Sequence, residues 1–279
     1  MKYYKIINPD GHNGLVYHEG YNEDPLPFNP KPDYGPGGIH FAREDILAFI
    51  DLGTDLYEVD PVGPVVDCWD TPKVYKAHAV NLKYIGKVIN NIKFLVRQGA
   101  NIHVDGEFPL KWSIRTKNAK LVRQLIKLGA DIHYWNDYPL FLAFIYRSVE
   151  IAKILLEAGA DPNNCDGSCL VHAVIDNNFD MVKLLLEKGA SIHICNDKPL
   201  RTCVSKGTLE MLMFLIEQGA DVHADNDFVL RRAVETRNIE LCRFLVKRGV
   251  NFNKVIPRLN KIYRNWFRRN IKKITLTNK

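Results

Sequence analysis

NNFDMVKLLLEKGASIH, residues 177–193, is the stretch that decides the fold. Met181, Val182, Leu185 and Leu186 fall at i, i+1, i+4 and i+5, which lays one wide apolar stripe along a helix. Asn178 stands just before that helix, where its side chain accepts from a free first-turn amide. Asp180 follows, where negative charge suits the helix dipole. Gly189 ends the run, at a position that favours a left-handed residue. Outward in both directions the pattern returns every 30 residues. Gly-Ala recurs at 99–100, 129–130, 159–160, 189–190 and 219–220, followed by Gly249-Val250. Leu95, Leu125, Leu155, Leu185, Leu215 and Leu245 share one column, and Leu110, Leu140, Leu170, Leu200 and Leu230 another. Asn118, Ser148, Asn178, Thr208 and Asn238 share the N-cap column. A fixed period of this kind marks a stack of repeats, each burying its apolar face on its neighbours.

A shorter helix precedes the long one in each unit. Pro109, Pro139 and Pro199 open it, as proline does at the first helical position. Ser113, Ala143, Ala173, Cys203 and Ala233 keep one column small, so that the two helices of a unit approach closely. The unit is therefore short helix, turn, long helix, glycine stop and polar loop.

GADIHYWNDYPLFLAF (129–144) resembles the loop and TPLHxAA motif of ankyrin repeats, and residues 177–193 resemble their second helix and turn. The resemblance covers about residues 80–255. It implies a mainly α ankyrin-repeat solenoid, with a partial unit at 79–100 and units at about 101–130, 131–160, 161–190, 191–220 and 221–250. The family repeat is about 33 residues long. The shortening here lies between Gly99 and Leu110, in the family's protruding hairpin, and predicts short fingers and a shallow groove.

The same resemblance implies a protein–protein interaction scaffold. In the family, the loop and first-helix positions line the concave binding face. Here those positions hold Trp112, Tyr134, Trp135, Tyr138, Phe141, Leu142 and Tyr146. Aromatic side chains are what binding hot spots usually contain; some of these have the alternative of packing the junction between repeats. The expected partner is an unidentified protein, host-derived if the chain is viral, and the chain is expected to be a monomer. No Gly-rich phosphate loop, HExxH helix or GxSxG elbow is present, so no catalysis, cofactor or metal is expected.

Other recurring residues have structural readings. His103, His133, His193 and His223 share a column with Asn163 and Asn253. Neighbouring repeats lie about 8–10 Å apart, too far for their imidazoles to share an ion, so short polar contacts to nearby backbone are expected. Asp105, Glu107, Asp137, Asp166, Asp197, Asp225 and Asp227 sit on the loop tips. Turn chemistry explains them; an acidic rim for a basic partner is the alternative. Cys68, Cys165, Cys169, Cys195, Cys203 and Cys242 form no CxxC pair and read as reduced, packed thiols. A zinc site at Cys165, Cys169 and His172 lacks a four-ligand pattern.

Composition supports a folded chain, at 46% hydrophobic and 25% charged residues. No apolar run is long enough to span a membrane and no secretory leader is visible, so an intracellular place, cytoplasmic or nuclear, is expected.

The two ends depart from the repeat. Residues 1–78 predict a small α+β leader domain, with a helix over 42–53 and a strand over 55–59. INPDGHNGLVYHEGYNEDPLPF followed by GGIHF resembles the leader of ankyrin-repeat proteins from large DNA viruses of amoebae. His18, Gly20 and GGIHFA (37–42) are also faintly similar to nicotinamide-cradling segments of ADP-ribosyltransferases, although Glu19 interrupts the His-Gly pair. Strand and turn residues of a capping domain explain the same segments.

Residues 256–279 predict a basic C-terminal helix and tail. Leu259, Ile262, Tyr263 and Trp266 fall at i, i+3, i+4 and i+7 and would cover the last repeat. Arg264, Arg268, Arg269, Lys272 and Lys273 would face solvent, where they offer a tether for nucleic acid or an anionic membrane, or an import signal.

Overall fold

The computed structural model describes residues 2–8, 16–24, 26, 31, 39–50, 53–70 and 72–275. The chain divides into two compact units, Met1–Gly159 and Ala160–Lys279.

The first unit opens with seven strands: β1 (Tyr3–Ile7), β2 (Gly20–Glu23), β3 (Ile39–Ala42), β4 (Asp55–Val62), β5 (Val66–Asp70), β6 (Lys73–Ala77) and β7 (Ala79–Lys87). They form one antiparallel sheet in the order β2-β7-β4-β1-β3-β6-β5. Ile7, Ile39, Phe41, Val59, Tyr75, Ala77, Val80 and Leu82 make its core. The leader is thus mostly β. Its last strand covers 79–87, a stretch that sequence placed in a partial repeat.

The helix expected over 42–53 is a short 3-10 turn, Glu44–Phe49. Asp45 explains the difference. Its carboxylate accepts from the Lys73 amide at the start of β6 (2.6 Å), and its backbone leaves helical geometry (φ −92°, ψ 15°). Ile46, Leu47 and Ile50 still reach the interior. Gly53 allows the next turn: a Cβ there would meet the Ile7 carbonyl carbon at 2.2 Å.

Five helices follow in this unit: α1 (Val88–Arg97), α2 (Val104–Arg115), α3 (Ala119–Lys127), α4 (Tyr134–Ile145) and α5 (Val149–Glu157). The leader covers the open side of the first of them. The Tyr4 and Phe94 rings meet edge-on at 6.2 Å, and the Asn101 amide donates to the Glu44 carbonyl.

The second unit contains α6 (Asn164–Ile175), α7 (Phe179–Glu187), α8 (Ile194–Lys206), α9 (Leu209–Glu217), α10 (Ala224–Glu235), α11 (Ile239–Lys247) and α12 (Lys261–Thr275).

Within each unit the repeat chemistry is as expected. Asn118, Ser148, Asn178, Thr208 and Asn238 each accept from the amide three residues on, at 3.0–3.4 Å. Gly129, Gly189 and Gly219 lie at φ +98°, +91° and +98°. The following alanine amides reach back to Leu125, Leu185 and Leu215, closing left-handed caps at 2.9–3.1 Å. Ser113, Ala143, Ala173, Cys203 and Ala233 are all buried.

Candidate protein-binding face

Among the described residues, α2, α4, α8 and α10 each open on a turn that the sequence does not announce. Asp105, Gly106 and Glu107 lie at φ +50°, +58° and +63°, and Trp135, Asn136 and Asp137 at +47°, +61° and +56°. Cys195–Asp197 and Asp225–Asp227 repeat the same left-handed turn in the second unit. Three consecutive left-handed residues reverse the chain in less length than a hairpin needs, which accounts for the short period. The backbone turns α-helical again around Pro109, Pro139 and Pro199.

L-residues resist this conformation, so each turn is pinned. The Asp137 amide donates to the His133 carbonyl at 3.3 Å. His133 Nδ1 meets Asp137 Oδ1 at 2.7 Å. A carboxylate only accepts, so the ring nitrogen donates. His103 with Glu107, His193 with Asp197 and His223 with Asp227 repeat the pair. The histidine column therefore holds the loop acids rather than backbone. Asn163, its counterpart in another unit, does bond backbone, at Gly189 O and Ser191 N. Glu107, Asp137 and Asp197 are buried and do not form a rim. Asp197 also accepts from the Asp221 amide of the next repeat at 2.8 Å.

The turn decides which aromatic residues are displayed. Trp135, its first residue, is 74% exposed. Its ring lies 5.3 Å from that of Tyr138, and Tyr138 lies 6.3 Å from Phe141. These three form a continuous ridge. Trp112 and Tyr146 are half-buried. Tyr134 instead packs over Gly106 of the preceding turn, where a Cβ would come within 2.3 Å of its hydroxyl. Leu142 is buried. Of the seven expected contact residues, Trp135 alone is exposed; Tyr138 and Phe141, which run on from it, and Trp112, Tyr134 and Tyr146 are half-buried, and Leu142 is buried.

Phe141 and the buried Val171 are apolar in a column otherwise cationic. Lys111, Arg201 and Arg231 stand at the equivalent positions and donate to carbonyls of their own left-handed turns. Lys111 reaches Asp105 O at 3.1 Å, Arg201 reaches Asn196 O and Cys195 O at 2.9 and 3.0 Å, and Arg231 reaches Asp225 O at 3.2 Å. The unit at 131–160 replaces this cation with a ring and gains an apolar surface.

The remaining candidates are placed as follows. His18 Nδ1 lies 3.0 Å from the Glu19 carbonyl, and Ile39–Ala42 is the core strand β3, paired with β1 and β6. Residues 37–38 and the side chains of Cys165 and Asp166 lie outside the described residues. Among those described, no group of His, Cys, Asp and Glu could hold a metal ion. Burial pushes the Cys203 and Cys242 thiols up to about 12, whereas Cys195 is exposed. No helix among the described residues is long and apolar enough to cross a membrane.

The C-terminal segment covers the last repeat: Leu259 is buried as expected and Tyr263 and Trp266 are half-buried, but the buried face of the helix is turned toward Phe267 and Ile274. Phe267 and Ile274 are buried, Phe267 stacks on Phe252 at 5.2 Å, and α12 packs on α10 and α11. Ile262, expected inside, is 64% exposed. Arg264 turns back to the Pro257 and Leu259 carbonyls, both at 2.9 Å. Arg268, Arg269 and Lys272 face solvent; the Lys273 side chain lies outside the described residues.

The model of ankyrin repeats matches three overlapping stretches, residues 79–166, 124–195 and 170–256. The chain belongs to the ankyrin-repeat family. Relatives are found among proteins of Acanthamoeba polyphaga mimivirus. One, named as an ankyrin repeat protein, is 31% identical over 117 residues, or 37% of this chain and 37% of its own length. Another, named only as uncharacterised, is 30% identical over 131 residues, or 43% of this chain and 94% of its own. The chain thus spans little more than a third of the first of these relatives. Among solved structures, the ankyrin repeat domain of Bcl-3, a member of the IkappaB protein family, is 25% identical with a TM-score of 0.46, covering 54% of this chain and 75% of that one. This ankyrin-repeat protein is related to mimivirus-encoded ankyrin proteins and carries a non-repeat domain ahead of its repeats. Its fold is typical of protein–protein interaction scaffolds.

Proposed function

We propose that this ankyrin-repeat protein binds a protein partner through the ridge of Trp135, Tyr138 and Phe141, with Trp112 and Tyr146 at its margin. The observation that carries the reading is the exposure of Trp135 at the head of a pinned turn, in line with two further rings. Rigid aromatic side chains supply contact area at small entropic cost, and such anchors dominate binding energies. The mimivirus relatives favour a partner from the host cell, met by a monomer in its cytoplasm or nucleus.

Trp135→Ala with Tyr138→Ala tests this. Affinity capture from amoebal lysate, read by mass spectrometry, is expected to lose its partner at least tenfold while circular dichroism stays unchanged. Equal recovery by the double variant would sink the proposal.

A further inference from the structure

The capping helix α12 has a second face that capping leaves unused. Lys261, Arg268, Arg269 and Lys272 are all exposed. They stand at i, i+7, i+8 and i+11, which places them within about 100° of one another around the helix and along about 16 Å of its axis. Asn265 and Ile262 lie between them, and residues 254–279 contain no acid. None of the ion pairs among the described residues engages these four cations. Holding like charges in one row on a rigid helix costs self-repulsion, which an external polyanion relieves.

We propose that this face binds the phosphate backbone of nucleic acid without reading bases. Double-stranded nucleic acid presents one charge per ~1.7 Å of axis, so it offers a continuous partner for a row of this length. Arginine adds bidentate phosphate geometry. A membrane fits less well. An interfacial helix buries its apolar face in lipid, and the apolar face of α12 is already spent: Phe267 and Ile274 are each 1% exposed. Ile262 remains as an isolated outward apolar side chain, with Ile271 at the edge at 37%. This surface is independent of the aromatic ridge, which lies in the other unit.

The experiment uses the full chain and a fluorescent 20-base-pair duplex of mixed sequence. With four phosphates neutralised, log K falls against log salt with a slope of about −3.6, so affinity drops about 150-fold between about 50 and 200 mM salt. Lys261→Gln, Arg268→Gln, Arg269→Gln and Lys272→Gln together are expected to abolish this binding at an unchanged melting temperature, since all four side chains are exposed. Arg268→Gln alone is expected to reduce the slope by about one. The proposal is overturned if the wild type shows no duplex binding at low salt, or if the quadruple variant binds equally well. It is also overturned if polyglutamate of matched charge competes as well as unlabelled duplex, or if phosphatidylserine vesicles bind more tightly than the duplex.

Discussion

Asn196 sits in the middle of a left-handed run at φ +58°, exposed, with its carbonyl held by Arg201. Asparagine tolerates this region better than most residues, and a β-branched side chain tolerates it least. Asn196→Gly is expected to leave stability unchanged or slightly raised, and Asn196→Val to cost about 1–2 kcal/mol, both read by urea denaturation. Equal stability of the two variants would show that the turn is not strained. The signal was visible in sequence, where positions 106, 136, 166, 196 and 226 read Gly, Asn, Asp, Asn and Asn. The first residues of the turn, among them Trp135 and Cys195, give no hint of positive φ in the sequence. Lys5 supplies a pH test of the leader. Its ammonium donates to the His40 carbonyl at 2.7 Å, and burial holds its pKa down to about 8 against an ordinary 10.5. Below pH 8 the lysine is charged in both states, and the folded state bears the desolvation cost. Between pH 8 and 10.5 the unfolded chain binds more protons, so this group makes stability rise with pH. Compared with Lys5→Met, the wild type should gain on the order of 2 kcal/mol between about pH 7.5 and pH 10. Tyrosines and thiols titrate in both proteins and cancel in the difference.

At the scale of elements, the long helices were the most legible parts of the chain. Their caps, stripes and glycine stops are local, and each column repeats the same instruction. The leader's strands carry a local signal too: Val80 and Leu82 point in, while Asn81 and Lys83 point out. What sequence could not show was their pairing, since β1 lies between β3 and β4 and β2 pairs with β7. The buried face of α12 is ambiguous in sequence for a related reason. Ile262, Tyr263, Trp266, Phe267, Ile271 and Ile274 allow more than one apolar stripe. Phe252, on another segment, selects the one that is buried. The ridge is legible as residue types, but the exposure of Trp135 alone among its rings depends on the left-handed turn. The long helices also carry the clearest stability test. Leu155 and Leu185 are fully buried, in α5 and α7. Leu→Ala at such sites costs about 2–5 kcal/mol. Either substitution is expected to lower the melting temperature by several degrees, and a shift of only about a degree or two would contradict their place in the stack.

For the whole molecule, the open faces at the two ends of the repeat array decide whether the repeats hold together. A repeat buries its apolar side only against a neighbour, so a terminal repeat needs a substitute. Within the first unit that substitute is the leader, through Tyr4 against Phe94 and Glu44 against Asn101. Within the second it is α12, whose Phe267 lies on Phe252 and whose Ile274 is buried. A chain ending at residue 256 loses both side chains and exposes Phe252, which is otherwise 5% exposed. Such a chain is expected to lose hydrogen-exchange protection across α10 and α11, because these helices pack directly on α12. Phe267→Ala should produce a milder form of the same loss, since truncating a buried Phe costs about 3–5 kcal/mol while the rest of the helix stays in place. Replacing the outward cations of α12 should produce none of it. Protection retained in the truncated chain would mean that α12 is an attachment to a stack already closed without it.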